Sequence, residues 1–194
     1  MQLKKKTFTG TTSNEVTARE TENRKIARQA AAEGFVLLKN EDHILPIKNG
    51  AKLGLYGAGA VKTIKGGTGS GDVNERECIN ICQGLKNAGY EITSDAWLEA
   101  YASLYEETRL KWRDEILGKL PVYNNNFFEA YSTTPFFMPC GNPVDVEKAA
   151  LDGADTAIYV LSRIAGENAD RHDTEGDYYI SAEEKALIAQ LSKA

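Results

Sequence analysis

The sequence predicts an α/β fold, a mostly parallel sheet with helices on both faces (an α/β sandwich), interrupted by a helical and irregular insertion. Three observations carry this. Residues 52–93 run strand, glycine-rich loop, helix, strand, and helical crossovers of that kind go with parallel pairing. A second apolar, β-branched run, "TAIYVLSR" at 156–163, is also followed by a polar loop and then a helical segment. The chain has 194 residues, 42% hydrophobic and 26% charged, enough for one packed core and cramped for two domains.

Residues 1–20 are polar and aperiodic and read as an arm. Ile26, Ala27, Ala30 and Ala31 fall at helical spacing before Gly34, which predicts a helix over 21–33, and "FVLL" predicts a buried strand over 35–39. Lys52 to Tyr56 is the next strand and runs directly into glycines. After the loop, Cys78, Ile79, Ile81, Cys82 and Leu85 line one side of a helix that Gly89 can end, and "YEIT" follows as a strand.

Residues 94–118 are rich in helix formers, and Trp97, Tyr101, Leu104, Tyr105 and Trp112 form a stripe best read as core. "PVYNNNFFEAYSTTPFFMP", with three prolines and an Asn triplet, reads as an irregular excursion that lines a site or meets a partner domain. Asn142 and Pro143 are placed to open a helix. "TAIYVLSR" suits a central strand covered on both faces. Ser181 and Glu184 have capping-box spacing at the head of a helix running to the last residue.

Several function classes are disfavoured by composition. A net charge of -5 with scattered basic residues gives no footprint for nucleic acid. No window approaches the ~18–20 apolar residues of a membrane helix, and Lys4, Lys5 and Lys6 precede polar sequence, unlike a signal peptide. A cytoplasmic location is therefore expected. Cys78, Cys82 and Cys140 are an odd number, against a disulfide framework. Cys78 and Cys82 share a helical face with no His nearby in sequence, so burial is favoured over a metal site, and neither metal nor cofactor is expected.

Two polar loops carry the candidate chemistry. In "IKGGTGSGDV" Asp72 stands where a phosphate-binding loop needs Lys, so triphosphate binding fails. The dinucleotide fingerprint fares little better: Gly57 and Gly59 follow a strand, but Lys62 occupies the third glycine position. What remains is a loop of close backbone approach with Thr68, Ser70 and Asp72 as short hydrogen-bonding groups, suited to sugar hydroxyls, to other polar ligands, or to a tight turn alone. The second loop, "SRIAGENADRHDTEGDYY", gathers Glu167, Asp170, Asp173, Glu175 and Asp177 with Arg163, Arg171 and His172. If the sheet is parallel, both loops leave carboxyl ends of strands, where ligands bind in open α/β sheets. A solvated charged surface is the plain alternative.

The set "ARQAAAEGFVLLKNE", "LPI", "KGGTGSGDV" and "SRIAGENADRHDTEGDYYIS" resembles the α/β-sandwich domain of glycoside hydrolase family 3, the β-glucosidase type, over about residues 24–194. Residues 94–141 match least and look like an insertion into a domain spanning 21–194 that is truncated at its C-terminal end. The resemblance implies a retaining enzyme acting on a β-glucoside or oligosaccharide, with Glu167 as acid/base (Glu175 as fallback), Ser70 reaching sugar hydroxyls beside Thr68 and Asp72, and the nucleophilic Asp in a (β/α)8 barrel domain. A barrel takes ~250 residues, so this chain alone is expected to be inactive. Because Met1 stands so close to the sandwich, a parent of reversed domain order is expected. The alternative function is a non-catalytic carbohydrate-binding or scaffold domain.

Overall fold

The computed structural model describes residues 13–67, 71, 77–165 and 171–194. It divides into two units, Met1–Pro46 and Ile47–Ala194. In the first, helix α1 spans Ala18–Gly34, beginning earlier than the apolar spacing predicts because Thr17 and Glu20 form a capping box. The strand expected at 35–39 does not form: Phe35 is 83% and Leu38 91% exposed, and among the described residues no strand pairs with the run. Asn40 makes a two-way clasp with Leu45, its amide nitrogen donating to Leu45 O (2.9 Å) and its oxygen accepting from Leu45 N (3.0 Å).

The second unit is built on three parallel strands, β1 (Lys52–Tyr56), β2 (Glu91–Ile92) and β3 (Thr156–Tyr159), in the order β2-β1-β3. Parallel pairing is as predicted, with Leu53 opposite both Ile92 and Thr156. The central strand, however, is β1. β3 lies at the edge of the described sheet and is only partly buried, so its apolar run does not mark a doubly covered position.

Alternation along β1 divides the core into two layers. Leu53 and Leu55, both fully buried, join Ile92 and Leu98 and pack under Ile81, Cys82 and Leu85 of helix α3 (Ile81–Asn87). Tyr56 points to the opposite face, against Val144, Ala149 of helix α6 (Val146–Leu151) and Leu187 and Leu191 of helix α7 (Ala182–Leu191). Helices thus cover both faces, and the chain is an α/β sandwich as expected.

Local capping explains where the helices depart from prediction. α3 begins only at Ile81 because the Asn80 side chain accepts from Gln83 N (2.7 Å), which leaves Cys78 outside the helix and exposed, contrary to the expected burial. Cys82 is half-buried. α6 is capped by Asp145, accepting from Lys148 N (3.0 Å), three residues after the expected cap Asn142. Pro143 stays outside it so that Val144 can bury, its N–H held by Gln190 (3.0 Å). α7 has the expected capping box of Ser181 and Glu184 but stops at Leu191.

Helix α4 (Asp95–Lys119) matches its prediction, and Tyr101 and Tyr105 are buried along its stripe. It starts where β2 stops. The Ser94 hydroxyl accepts from Leu55 N (2.8 Å) and donates to Leu55 O (2.6 Å), so a side chain takes the place of the next rung of the β1–β2 ladder. The following excursion is less irregular than expected, because Asn126 caps a short helix, α5 (Phe127–Ser132), accepting from Phe128 N and Glu129 N. The two asparagines before it, Asn124 and Asn125, take left-handed conformations, as that residue type does most readily.

Candidate active site

The carboxyl ends of β1 and β3 run side by side into the two loops that the sequence singles out. β1 ends at Tyr56, and the next residue, Gly57, opens the short helix α2 (Ala58–Val61). Gly57 has φ 93, and a Cβ there would lie 2.5 Å from Val160 O, so no other residue fits this crossing. Beyond it, Gly59 N donates to Val160 O (3.1 Å).

The glycine-rich loop then reaches the other one. Gly67 has φ 74, and a methyl group on it would collide with the carbonyl oxygen of Ala165. The described part of the glycine loop therefore packs backbone on backbone against the segment leading out of β3, the juxtaposition that parallel strands predict. Thr68, Ser70, Asp72, Glu167 and Asp170 lie outside the described residues.

The acidic loop is held by a side-chain network. Arg163 places all five guanidinium N–H groups: Nη1 and Nη2 each donate to a carboxylate oxygen of Glu184 (2.6 Å both), Nη1 also to Ser162 O (2.8 Å), Nε to Asp177 O (2.7 Å) and Nη2 to Tyr179 O (3.3 Å). The pair is nearly buried, at 14% and 9% side-chain exposure. The Glu184 carboxylate holds the Arg163 guanidinium above its ordinary pKa. Glu184 also closes the α7 capping box through Ser181 N (2.8 Å), so one carboxylate caps a helix and clasps the loop.

Asp177 ties the other end. Its carboxylate accepts from His172 N (2.6 Å) and pairs with Arg171 Nε (3.1 Å). Among the described residues the carboxylate partner of Arg171 is Asp177. Glu175, the fallback acid, is exposed and pairs with Lys185 at 3.3 Å, a weak surface contact.

An open cleft of roughly 1280 Å³ lies beside this network. It is lined by Ile164, Ala165, Arg171 and Glu175 and by an aromatic wall from the excursion after α4. Trp112 anchors that wall, donating through Nε1 to Thr134 O (2.6 Å) and packing on Phe136 (centroids 5.3 Å apart) and Tyr131 (5.7 Å). Phe128 and Phe137 are left 79% and 59% exposed. Burial raises the Cys140 thiol, which also lines the cleft, and its neighbour the Tyr159 phenol.

Sequence reasoning named both loops and the excursion, but missed the Arg163–Glu184 clasp and the role of Trp112. The signal for the first was present in part: Glu184 was recognised, but only as a cap. Among the described residues no cluster of His, Cys, Asp and Glu could hold a metal ion, and no helix is long and apolar enough to cross a membrane.

Comparison with known proteins agrees with this architecture. The profile of the "Glycosyl hydrolase family 3 C-terminal domain" matches residues 35–194. β-Glucosidase A of Butyrivibrio fibrisolvens is 33% identical over 165 residues, 85% of this chain and 18% of that protein. A β-glucosidase of Ruminococcus albus is 30% identical over 168 residues, 85% of this chain and 16% of its own length. The structure of β-glucosidase 3B from Thermotoga neapolitana in complex with α-D-glucose superposes with a TM-score of 0.68 at 32% identity, covering 91% of this chain and 23% of that one. This chain thus spans less than a fifth of the length of these two sequence relatives.

Proposed function

The chain belongs to glycoside hydrolase family 3, matching its C-terminal domain, and from that premise we propose that it forms one half of the active site of a retaining β-glucosidase-like enzyme. Glu167 is the acid/base, Ser70, Thr68 and Asp72 contact sugar hydroxyls, and a (β/α)8 barrel domain supplies the nucleophilic Asp. The observation that carries this reading is the packing of Gly67 against Ala165, two residues before Glu167, which joins the glycine loop to the acidic loop.

The chemistry then follows in two steps. Glu167 gives its proton to the glycosidic oxygen as the barrel carboxylate attacks the anomeric carbon, so the leaving group departs as a neutral alcohol. Glu167, now ionised, takes a proton from water as that water displaces the carboxylate. The first step needs an acid still protonated near neutral pH, a condition met by burial or by a neighbouring carboxylate. The aromatic side chains of Trp112, Phe136, Phe128 and Phe137 line the same cleft as Ile164 and Ala165, and such a surface suits an apolar leaving group.

The test uses a barrel-bearing enzyme that contains this domain. Glu167→Ala is expected to lower kcat on an alkyl β-glucoside by about 10²–10⁴-fold, the usual share of a general acid. With glucosides of strongly acidic phenols kcat/KM should be spared while kcat falls, because the second step has lost its base, and azide should restore turnover with a β-glucosyl azide as product. Normal hydrolysis of the alkyl glucoside by the variant would move the acid role to another residue, Glu175 first. The 194-residue chain alone is expected to show no turnover of an aryl β-glucoside.

A further inference from the structure

Arg163 and Arg171 bracket a segment of seven residues, 164–170, and both end on the same residue. Arg163 Nε donates to the main-chain carbonyl of Asp177 (2.7 Å), while Arg171 pairs with its carboxylate (3.1 Å) and reaches its carbonyl (3.3 Å). Eight residue steps can extend to about 28 Å; here the side chains at both ends reach one residue. We propose that Asp177 is a positioning residue for the acid/base loop, fixing together the place where the chain leaves β3 and the place where it returns. The inference rests on the assignment of Glu167 within that loop.

Two features make Asp177 the hub. Its carboxylate is only 12% exposed and holds two groups, Arg171 Nε and His172 N. The turn that carries it is braced internally, by Thr174 N to His172 O (2.8 Å), Gly176 N to Tyr179 O (2.9 Å) and Tyr179 N to Thr174 O (3.1 Å). Arg163 is fixed in turn by Glu184 on α7, so the hub is referred to the core by a nearly buried ion pair.

Asp177→Asn keeps the size, an oxygen for His172 N and the carbonyl for Arg163, and removes only the charge that faces Arg171. Arg171→Ala removes the same link from its more exposed side. In the 194-residue chain both variants are expected to speed hydrogen exchange of the amides in 164–172 at least about tenfold, while those of β1 and α4 keep their rates. Unchanged exchange in 164–172 would overturn the proposal. In the barrel-bearing enzyme both variants should lower kcat/KM by about 10–100-fold on alkyl glucosides, part of what a general acid contributes, with kcat/KM on 2,4-dinitrophenyl glucoside, whose departure needs no acid, affected less than about twofold. An equal loss on the two substrates would reduce Asp177 to a structural role and refute the positioning claim. If Glu167→Ala itself shows no leaving-group dependence, the assignment of Glu167 is what fails, and the exchange result alone decides whether Asp177 holds the loop.

Discussion

The two loops at the carboxyl edge of the sheet are held in place by opposite means. On the glycine side, Gly57 against Val160 and Gly67 against Ala165 bring backbone to backbone, and the contact depends on atoms that are absent. On the acidic side, Arg163, Glu184, Arg171 and Asp177 hold the chain through charge and hydrogen bonds. The first arrangement tolerates no added methyl group and is indifferent to charge; the second survives modest changes of shape and fails when a charge is removed. A site formed between them has one wall set by sterics and one by electrostatics.

The largest effect should come from breaking the charged side. Arg163→Ala strands the Glu184 carboxylate in a nearly buried position and is expected to cost about 3–5 kcal/mol in urea unfolding. Arg163→Met with Glu184→Leu should cost clearly less, since no uncompensated charge remains. Equal losses in the two variants would mean that the ion pair is not what holds this side.

Gly57→Ala should cost about 2–3 kcal/mol, from the unfavourable φ and the collision with Val160 O. Its cost is expected to be the same at low and high salt, whereas the Arg171–Asp177 link, with Arg171 38% exposed, should weaken as salt rises. A salt-dependent cost at Gly57 would blur the distinction between the two walls.

A smaller effect concerns alkaline pH. Burial raises the Tyr101 and Tyr159 phenols above their ordinary value. The native chain therefore keeps protons that the unfolded chain releases, so this contribution is full below about pH 10 and is lost as pH rises past it. Melting temperature measured from pH 8 to 11 should fall at the top of that range, and less steeply in Tyr159→Phe. The smallest change in stability is expected for Phe128→Ala, within about 0.5 kcal/mol because the ring is exposed. In the barrel-bearing enzyme the same substitution should raise KM for aryl glucosides a few-fold and leave that for methyl glucoside unaltered.

Much of the fold was legible because its signals are local. β1 was placed to the residue by an apolar run ending in glycine, and α7 by the spacing of Ser181 and Glu184. Strand order was not legible: "TAIYVLSR" is more apolar than "KLGLY", yet β1 is central, since order is set by which neighbours pair and not by the strand's own composition. "FVLL" fails similarly, because an apolar run cannot report whether a partner strand exists. The α5 helix was hidden by prolines and aromatics around it, although Asn126 and Glu129 mark its start. In the candidate site, the meeting of the loops followed from parallel topology, whereas the Arg163–Glu184 clasp joins residues 21 apart and needed three dimensions to be seen.

Ser94 has a consequence for how the cleft is walled. A strand that simply stops leaves its neighbour's amide and carbonyl seeking partners, and the usual remedy is more strand. One hydroxyl serves both groups of Leu55, so the polypeptide can depart from the sheet after two paired residues and immediately coil. The 25 residues of α4 that follow carry Trp112 to the excursion side, where it supports the aromatic wall. Ser94 is thus a full stop in the grammar of the sheet, and the aromatic wall of the cleft is written in the sentence after it.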